Sequence, residues 1–239
     1  IAEGYQVSVI CPADTKWVWR EKVDGVWVFS YPAPPLGNGF IGYLWEFGYS
    51  LVATFLISIF VAFNPGFDVI HAANPPDTAV FIAAFYKLFG KYFIFDHHDL
   101  VPEMYAERFK SPDNKLISKI LIWMEKISCR LADHVIATNN SYKTMEMERD
   151  GVPEERITIV RNGPNLKRLY LVDPDDSLRK KGETIIGFVG VMARQDGVDY
   201  LLRALHQLTY QLNRNDFYCV IVGSGSTLRE LKSLVTQLK

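Results

Sequence analysis

The chain has 239 residues, 49% of them apolar and 13% aromatic, which is enough to fill one large or two ordinary α/β cores and excludes a disordered polypeptide. A formal net charge of −1 removes the electrostatic case for a nucleic-acid partner, since binding phosphate at affinity takes a strong basic excess on one face. Cys11, Cys129 and Cys219 are too few and too widely spaced for a zinc site or a secreted disulfide framework, and they fit a reducing cytosol.

The opening residues read as the last turn of a helix stopped at Gly4 and followed by a strand at 7–11. After a turn-rich stretch come a strand at 26–31, a Pro-rich loop at 32–39 and an apolar helix over 40–63. Its segment 47–63 is apolar nearly all round but falls short of the roughly 20 residues of a bilayer span. The expected place of this helix is packed in the protein or lying shallowly at a membrane surface. The pattern continues with strand 68–72, helix 77–89, strand 92–96, helix 114–131, strand 134–138, helix 140–150 and strand 157–161. Short strands alternating with helices predict βα units and a parallel sheet.

From 162 to 183 two prolines, mixed charges and few apolar runs read as a linker. Strand 185–190, helix 198–212, strand 217–222 and helix 226–238 then begin a second α/β layer. Leu228, Leu231, Leu234, Val235 and Leu238 repeat at helical spacing up to the last residue, so an internal segment of a longer protein is expected.

Parallel sheets collect their chemistry at the carboxyl ends of strands, where strand-to-helix turns offer polar groups to a ligand. One such turn holds Asp96, His97, His98 and Asp99, with Glu103 close behind. Strand alternation allows at most two of the four into any one crevice. Substrate binding is the favoured reading over a metal centre, for which only His71 and Asp77 are placed to add ligands, and over a self-satisfied polar turn. Asp77 is expected to cap the following helix, while Asn74, held out by Pro75 and Pro76, joins His71 as a candidate ligand group.

Two glycine turns follow the later strands: Gly190 to Gly197, ending near a helix start, and Gly223-Ser224-Gly225. Helix amino termini present unpaired N–H groups and partial positive charge to a diphosphate, and Arg194 adds a cation. Neither turn matches GxGxxG or GxxxxGK[ST], which lowers nicotinamide binding and ATP hydrolysis. The helix near 115–131 reads as a solvated basic face, with Lys115, Lys119, Lys126 and Arg130, over a core stripe of Leu116, Ile120, Trp123 and Ile127. Peripheral contact with anionic lipid is the alternative.

Taken in order, DVIHAANPPD, FIFDHHDLVPEMYAERF, HVIATNNSY, ITIVRNGP, GFVGVMARQDGVDYLLRAL and VIVGSG resemble the family 4 retaining glycosyltransferases of GT-B fold, in the branch that builds bacterial O-antigen and exopolysaccharide. The resemblance implies an α/β fold of two Rossmann-like domains facing across a cleft, the first nearly complete and the second only begun. It places an acceptor-side domain at 1–163, and the linker with the start of a nucleotide-sugar domain at 164–239. It also implies His98 and Asp99 as catalytic groups, with His71, Asn74, His97, Glu103 and Asn139 around sugar or acceptor. Asn162, Gly163, Gly190, Met192, Arg194, Gln195, Gly197, Gly223, Ser224 and Gly225 would border the donor. No cofactor and no metal are expected, the nucleotide sugar being a substrate.

Where many relatives carry a second histidine this chain has Ala73, and Val191 and Asp196 stand where the diphosphate turn commonly carries Arg and Lys. The implied reaction is sugar transfer with retention to a glycan or lipid-linked acceptor, in the cytoplasm or at the inner membrane face. A non-catalytic scaffold and a nucleotide-sugar 2-epimerase are the alternatives.

Overall fold

A computed structural model describes residues 3–13, 16–34, 39–109, 115–166 and 169–238. Positions 35–38 of the Pro-rich loop and the expected helix start at 114 lie outside them. The chain divides into two compact units, one comprising 1–104 and 113–162, the other 105–112 and 163–239.

In the first unit, β1 (Ser8–Pro12) pairs in parallel with β3 (Val26–Tyr31), whose other edge takes β2 (Arg20–Val23) antiparallel. Strand β2 falls in the stretch that the sequence marks only as turn-rich, because four residues reading Arg-Glu-Lys-Val carry no apolar alternation. Helix α1 (Gly39–Phe63) packs Ile57 and Val61 on Phe29 and Tyr31. It stops where Gly66, at φ +89°, returns its N–H to the Val61 carbonyl at 2.7 Å, a backbone turn glycine takes without a Cβ clash.

A second sheet is wholly parallel, in the order β4 (Val69–Ala73), β5 (Tyr92–His97), β6 (His134–Ala137), β7 (Ile157–Ile159). Helices α2 (Ala79–Lys87) and α4 (Lys115–Leu131) cover one face, where Val80, Ala83, Met124 and Cys129 meet Phe93, Phe95, Val135 and Ala137. Helix α3 (Val101–Phe109) adds to the expected elements, and α5 (Asn140–Glu148) precedes β7. Two expectations are corrected. Helix α2 starts after Thr78 without a side-chain cap, and Asp77 is turned inward instead. On α4 the buried face is Met124, Glu125, Ser128 and Cys129, whereas Leu116, Ile120 and Trp123 lie on the exposed side.

Strand β5 alternates cleanly, Phe93, Phe95 and His97 pointing to the buried side. The His97 ring therefore has no exposed surface and cannot line a sugar site. Its Nδ1 lies 3.0 Å from Glu146 Oε1, and its Nε2 faces Glu125 Oε2 at 3.7 Å, an ion-pair distance and not a hydrogen bond. Arg149 bonds the other Glu125 oxygen and reaches Glu103 at 2.5 Å, so α3, α4, α5 and β5 are tied by one chain of charge. Burial alone would push the His97 imidazolium down, but the two carboxylates outweigh it and raise it to about 9. Burial also raises Asp77 and Asp150 to about 6, against the bond from Asn74 and the Arg149 charge respectively.

The second unit has α6 (Asp176–Arg179) ahead of a parallel pair, β8 (Thr184–Val189) and β9 (Phe217–Val222), each followed by a helix, α7 (Val198–Tyr210) and α8 (Leu228–Gln237). Met192, Val198 and Leu231 form its core with Phe188, Leu202, Ile221 and Leu228 around them.

The charge network makes stability depend on pH in a stated direction. His97 is raised above its unfolded value near 6.5, so its stabilisation is complete below that pH and is lost as pH climbs through about 9. The loss should be about 3 kcal/mol, because each tenfold gain in proton affinity on folding is worth roughly 1.4 kcal/mol. Urea denaturation at a series of pH values should show this decline, and His97→Gln should flatten it; an equal decline in the variant would assign the effect elsewhere. In the second unit, a Cβ on Gly223 would meet the Gly190 carbonyl oxygen at 1.8 Å, with φ at +151°. Gly223→Ala should cost about 3 kcal/mol in the same assay through overpacking and backbone strain.

Candidate functional site

Two side-chain constellations stand at strand ends, one in each unit. In the first, β4 and β5 run side by side with Ala73 opposite Asp96, and the Asn74 N–H donates to the Asp96 carbonyl at 3.1 Å. The Asn74 carboxamide then uses all of its capacity. Its Oδ1 accepts from the N–H groups of His98 (2.7 Å) and Asp99 (3.1 Å), while Nδ2 donates to the Asp99 carbonyl (2.7 Å) and to Asp77 Oδ1 (3.0 Å). Asn74 is 5% exposed, so its expected role as a ligand group is corrected: with no lone pair or proton left over, it holds the turn.

That turn presents a cluster centred on Asp96. Asp96 Oδ2 meets His71 Nε2 at 3.0 Å and Oδ1 meets His98 Nε2 at 3.1 Å. The His71 contact is a hydrogen bond that the carboxylate accepts, so that ring carries a proton at Nε2, whereas the His98 contact is an ion-pair distance without hydrogen-bond geometry. The Asn162 amide donates from Nδ2 to His98 Nδ1 at 3.2 Å, which makes Nδ1 the lone-pair nitrogen of that ring, so both ring nitrogens of His98 have neighbours within the first unit. His71, with 53% of its side chain exposed, uses Nε2 on Asp96 and keeps Nδ1 as its other ring nitrogen. The sequence shows Asp96 only as part of the polar turn; its bridging role depends on the register of β4 against β5, which adjacency in sequence does not reveal.

Other assigned residues are placed differently. Glu103, in the first turn of α3, is held by Arg149. Asn139 caps α5, its Oδ1 accepting from Tyr142 N–H at 3.0 Å, and its Nδ2 donates to Thr138 Oγ1 at 3.2 Å. Among the described residues no group of three or more His, Cys, Asp or Glu side chains converges as a metal ion requires.

In the second unit the turns after β8 and β9 are closed upon one another. Gly190 N–H donates to the Val222 carbonyl at 3.1 Å, and Met192 N–H to that of Ser224 at 2.8 Å. The Met192 carbonyl accepts from both the N–H and the hydroxyl of Thr227 at 3.0 and 2.7 Å. Met192 is 3% exposed and belongs to the core, which corrects its assignment to a donor surface. Gly225 is required because a Cβ there would lie 2.3 Å from the Met192 carbonyl oxygen.

Asp196 folds back so that Oδ2 accepts from Ala193 N–H at 2.8 Å, which fixes the carboxylate within the turn. Gly197, at φ +64°, then starts α7. Arg194 and Gln195 are exposed on this turn, Arg194 beside a groove of about 620 Å³ between α7 and α8 that also touches Arg203 and Glu230. What the arrangement offers is an exposed guanidinium at the entry to a 13-residue helix.

The family model described as Glycosyltransferase Family 4 matches residues 1–168, and that described as Glycosyl transferases group 1 matches residues 172–239. An uncharacterized glycosyltransferase of Methanocaldococcus jannaschii is 30% identical over 132 residues, 51% of this chain and 32% of that protein. Among solved structures, Anabaena HepE in complex with UDP and glucose superposes with a TM-score of 0.57 at 19% identity, over 88% of this chain and 53% of that one. An E. coli trehalose-6-phosphate structure bound with UDP-2-fluoro glucose reaches 0.59 at 10% identity, over 97% and 61%. The chain thus spans about half the length of the HepE structure and a third of the archaeal relative. At these identities the superpositions speak for the fold, an α/β arrangement with parallel sheets of the GT-B kind. With one family model covering more than half of its residues, this chain belongs to Glycosyltransferase Family 4.

Proposed function

We propose that the protein moves a sugar from a nucleotide-sugar donor to a glycan or lipid-linked acceptor, with retention of anomeric configuration and without a divalent metal, in the building of cell-surface polysaccharide at the cytoplasmic side of the membrane. One observation carries the reading: in a member of Glycosyltransferase Family 4, Asp96 gathers His71 and His98 at the carboxyl ends of two adjacent parallel strands.

In this reading the donor diphosphate lies by Arg194 and the start of α7, where a guanidinium and helix N–H groups stabilise the charge that leaves with the nucleotide. The bond from the anomeric carbon to the diphosphate oxygen breaks as the sugar develops oxocarbenium character, and the acceptor hydroxyl attacks on the face the diphosphate vacates, giving up its proton along its hydrogen bond to His71. His71 receives the hydroxyl hydrogen bond at Nδ1, its ring set by Asp96, while His98 and Asp99 border the transferred sugar. Positioning and charge stabilisation then supply most of the rate.

Titration calorimetry of the whole protein with UDP, GDP and TDP sugars in EDTA should find one tight donor, and product analysis should show nucleotide released only when lipid extract is added. Binding without turnover would mark a scaffold, and a new sugar nucleotide formed without acceptor would mark an epimerase. Arg194→Ala should lower turnover about a hundredfold, the worth of one oxyanion-type donor near 3 kcal/mol. Asp96→Asn should lower kcat about tenfold to a hundredfold with little change in donor KM, as expected when a ring loses the group that orients it. An unchanged kcat would remove the His71–Asp96–His98 cluster from the reaction.

A further inference from the structure

Helix α1 is bound to its unit along one side only. Ile57 and Val61 face β3, and Ser58 hydrogen-bonds the Tyr86 hydroxyl of α2 at 2.9 Å, which fixes the helix's rotation. The opposite side carries Val52, Leu56, Phe60 and Phe63, exposed by 59, 60, 39 and 87%. Over Leu44–Phe63 the mean hydropathy is 1.8 with only 17% of the stretch buried, and Glu46 is the one charged residue in it.

This stripe continues into its neighbours. The Trp19 ring lies 5.9 Å from Phe60, and a groove of about 230 Å³ runs among Trp17, Trp19, Tyr31, Pro32, Leu56 and Ile57. On the other flank Phe55 meets Phe85 of α2 at 5.2 Å, and Phe85 meets Phe89 at the same distance, with Leu88 exposed beside them. Helix α4, packed against α2, adds exposed Leu116, Ile120 and Trp123. Three helices, α1 packed on α2 and α2 on α4, thus each carry exposed apolar side chains, more of them than the single exposed hydrophobics of ordinary surfaces.

The charges bordering this surface indicate what covers it. The loop Lys16-Trp17-Val18-Trp19 sets two exposed indoles beside an exposed cation, with Arg20 stacked over the Trp27 ring at 3.8 Å, Lys22 beyond it and Glu21 as the intervening acid; Lys119 is exposed on α4. Indoles next to Lys and Arg, at the edge of a broad aliphatic and phenyl face, match the layering of lipid headgroups over acyl chains. Leu44–Phe63 is long and apolar enough to cross a bilayer, but a spanning orientation would have to give up the packing of Ile57 and Val61 on β3 and the Ser58–Tyr86 bond, which favours the interface plane.

We infer that the outer faces of α1, α2 and α4 dock the protein on an anionic bilayer, α1 lying in the interface plane, with Trp17 and Trp19 at headgroup depth. The docking goes beyond the proposed transfer reaction, which needs only a donor and an acceptor hydroxyl. It is measured without either, so the two readings fail in different assays.

The test is flotation of the whole protein with phosphatidylcholine vesicles, with and without phosphatidylglycerol, at low and high salt. Expected are binding that rises with phosphatidylglycerol and weakens with salt, and a blue shift of tryptophan emission. The exposed-site variant Val52→Ser/Leu56→Ser/Phe63→Ser should lose at least about tenfold in partitioning while keeping its circular dichroism and melting temperature. Lys16→Glu/Lys22→Glu should remove most of the phosphatidylglycerol dependence and provides an independent check should the triple variant fold poorly. Absence of the native protein from floated vesicles, or unchanged partitioning of a folded triple variant, would overturn the proposal. So would a vesicle-indifferent dimer that the triple variant converts to monomer, which would give the face to a second copy.

Discussion

The carboxamide of Asn74 is the constraint on which the turn after β5 depends. Strand β4 ends one residue before it, and from there a single side chain takes the N–H groups of His98 and Asp99, returns a bond to the Asp99 carbonyl, and reaches Asp77. Backbone N–H groups just past a strand end have no ladder partner, and leaving them dry and unpaired would cost about 1–3 kcal/mol each. By meeting both, Asn74 lets the chain turn sharply after β5 and leaves the Asp96 carboxylate free to hold two imidazoles. Those rings are therefore positioned by a residue that has nothing left to offer a ligand.

Below that turn lies an ionic cluster with an energetic cost. Several of its atoms, among them Glu125 Oε2, Glu146 Oε2, His97 Nε2 and both Asp150 oxygens, are buried without a hydrogen-bond partner. Buried ion pairs gain little net stability after desolvation but are destructive to break singly, so their worth is in fixing which elements meet. Here they fix α4 and α5 against β5 through His97, and α3 through the Arg149 bridge to Glu103. Cys129, inside the same cluster, has its thiol pushed up by burial first and by Asp150 and the glutamates next, which makes it an inert packing group.

Much of this is legible in the sequence, and the rest has identifiable reasons for being hidden. Alternation of Phe93, Phe95 and His97 already places the histidine with the core phenyl rings, yet its neighbours His98 and Asp99 draw it into the ligand set. Met192 sits between exposed Val191 and Arg194, where only the inward carbonyl bonds to Thr227 mark it as buried. For α4, Leu116, Ile120 and Trp123 share one face with the lysines, while the core side carries Glu125 and Ser128, so polarity points the wrong way. Order of strands, parallel pairing and the glycine turns are readable because they depend on local periodicity and turn chemistry. The partners Glu125, Glu146 and Arg149 are not, since pairing across 24 to 49 residues is set by register and packing.

The two glycine turns of the second unit have no space between them. Gly223 and Gly225 rest their α-carbons against the carbonyls of Gly190 and Met192, and hydrogen bonds stitch the same segments together. Two loops in such contact have one shared set of allowed positions. A displacement of the turn at 190–197 on meeting a ligand must carry the turn at 223–225 with it, so the pair behaves mechanically as a single jaw.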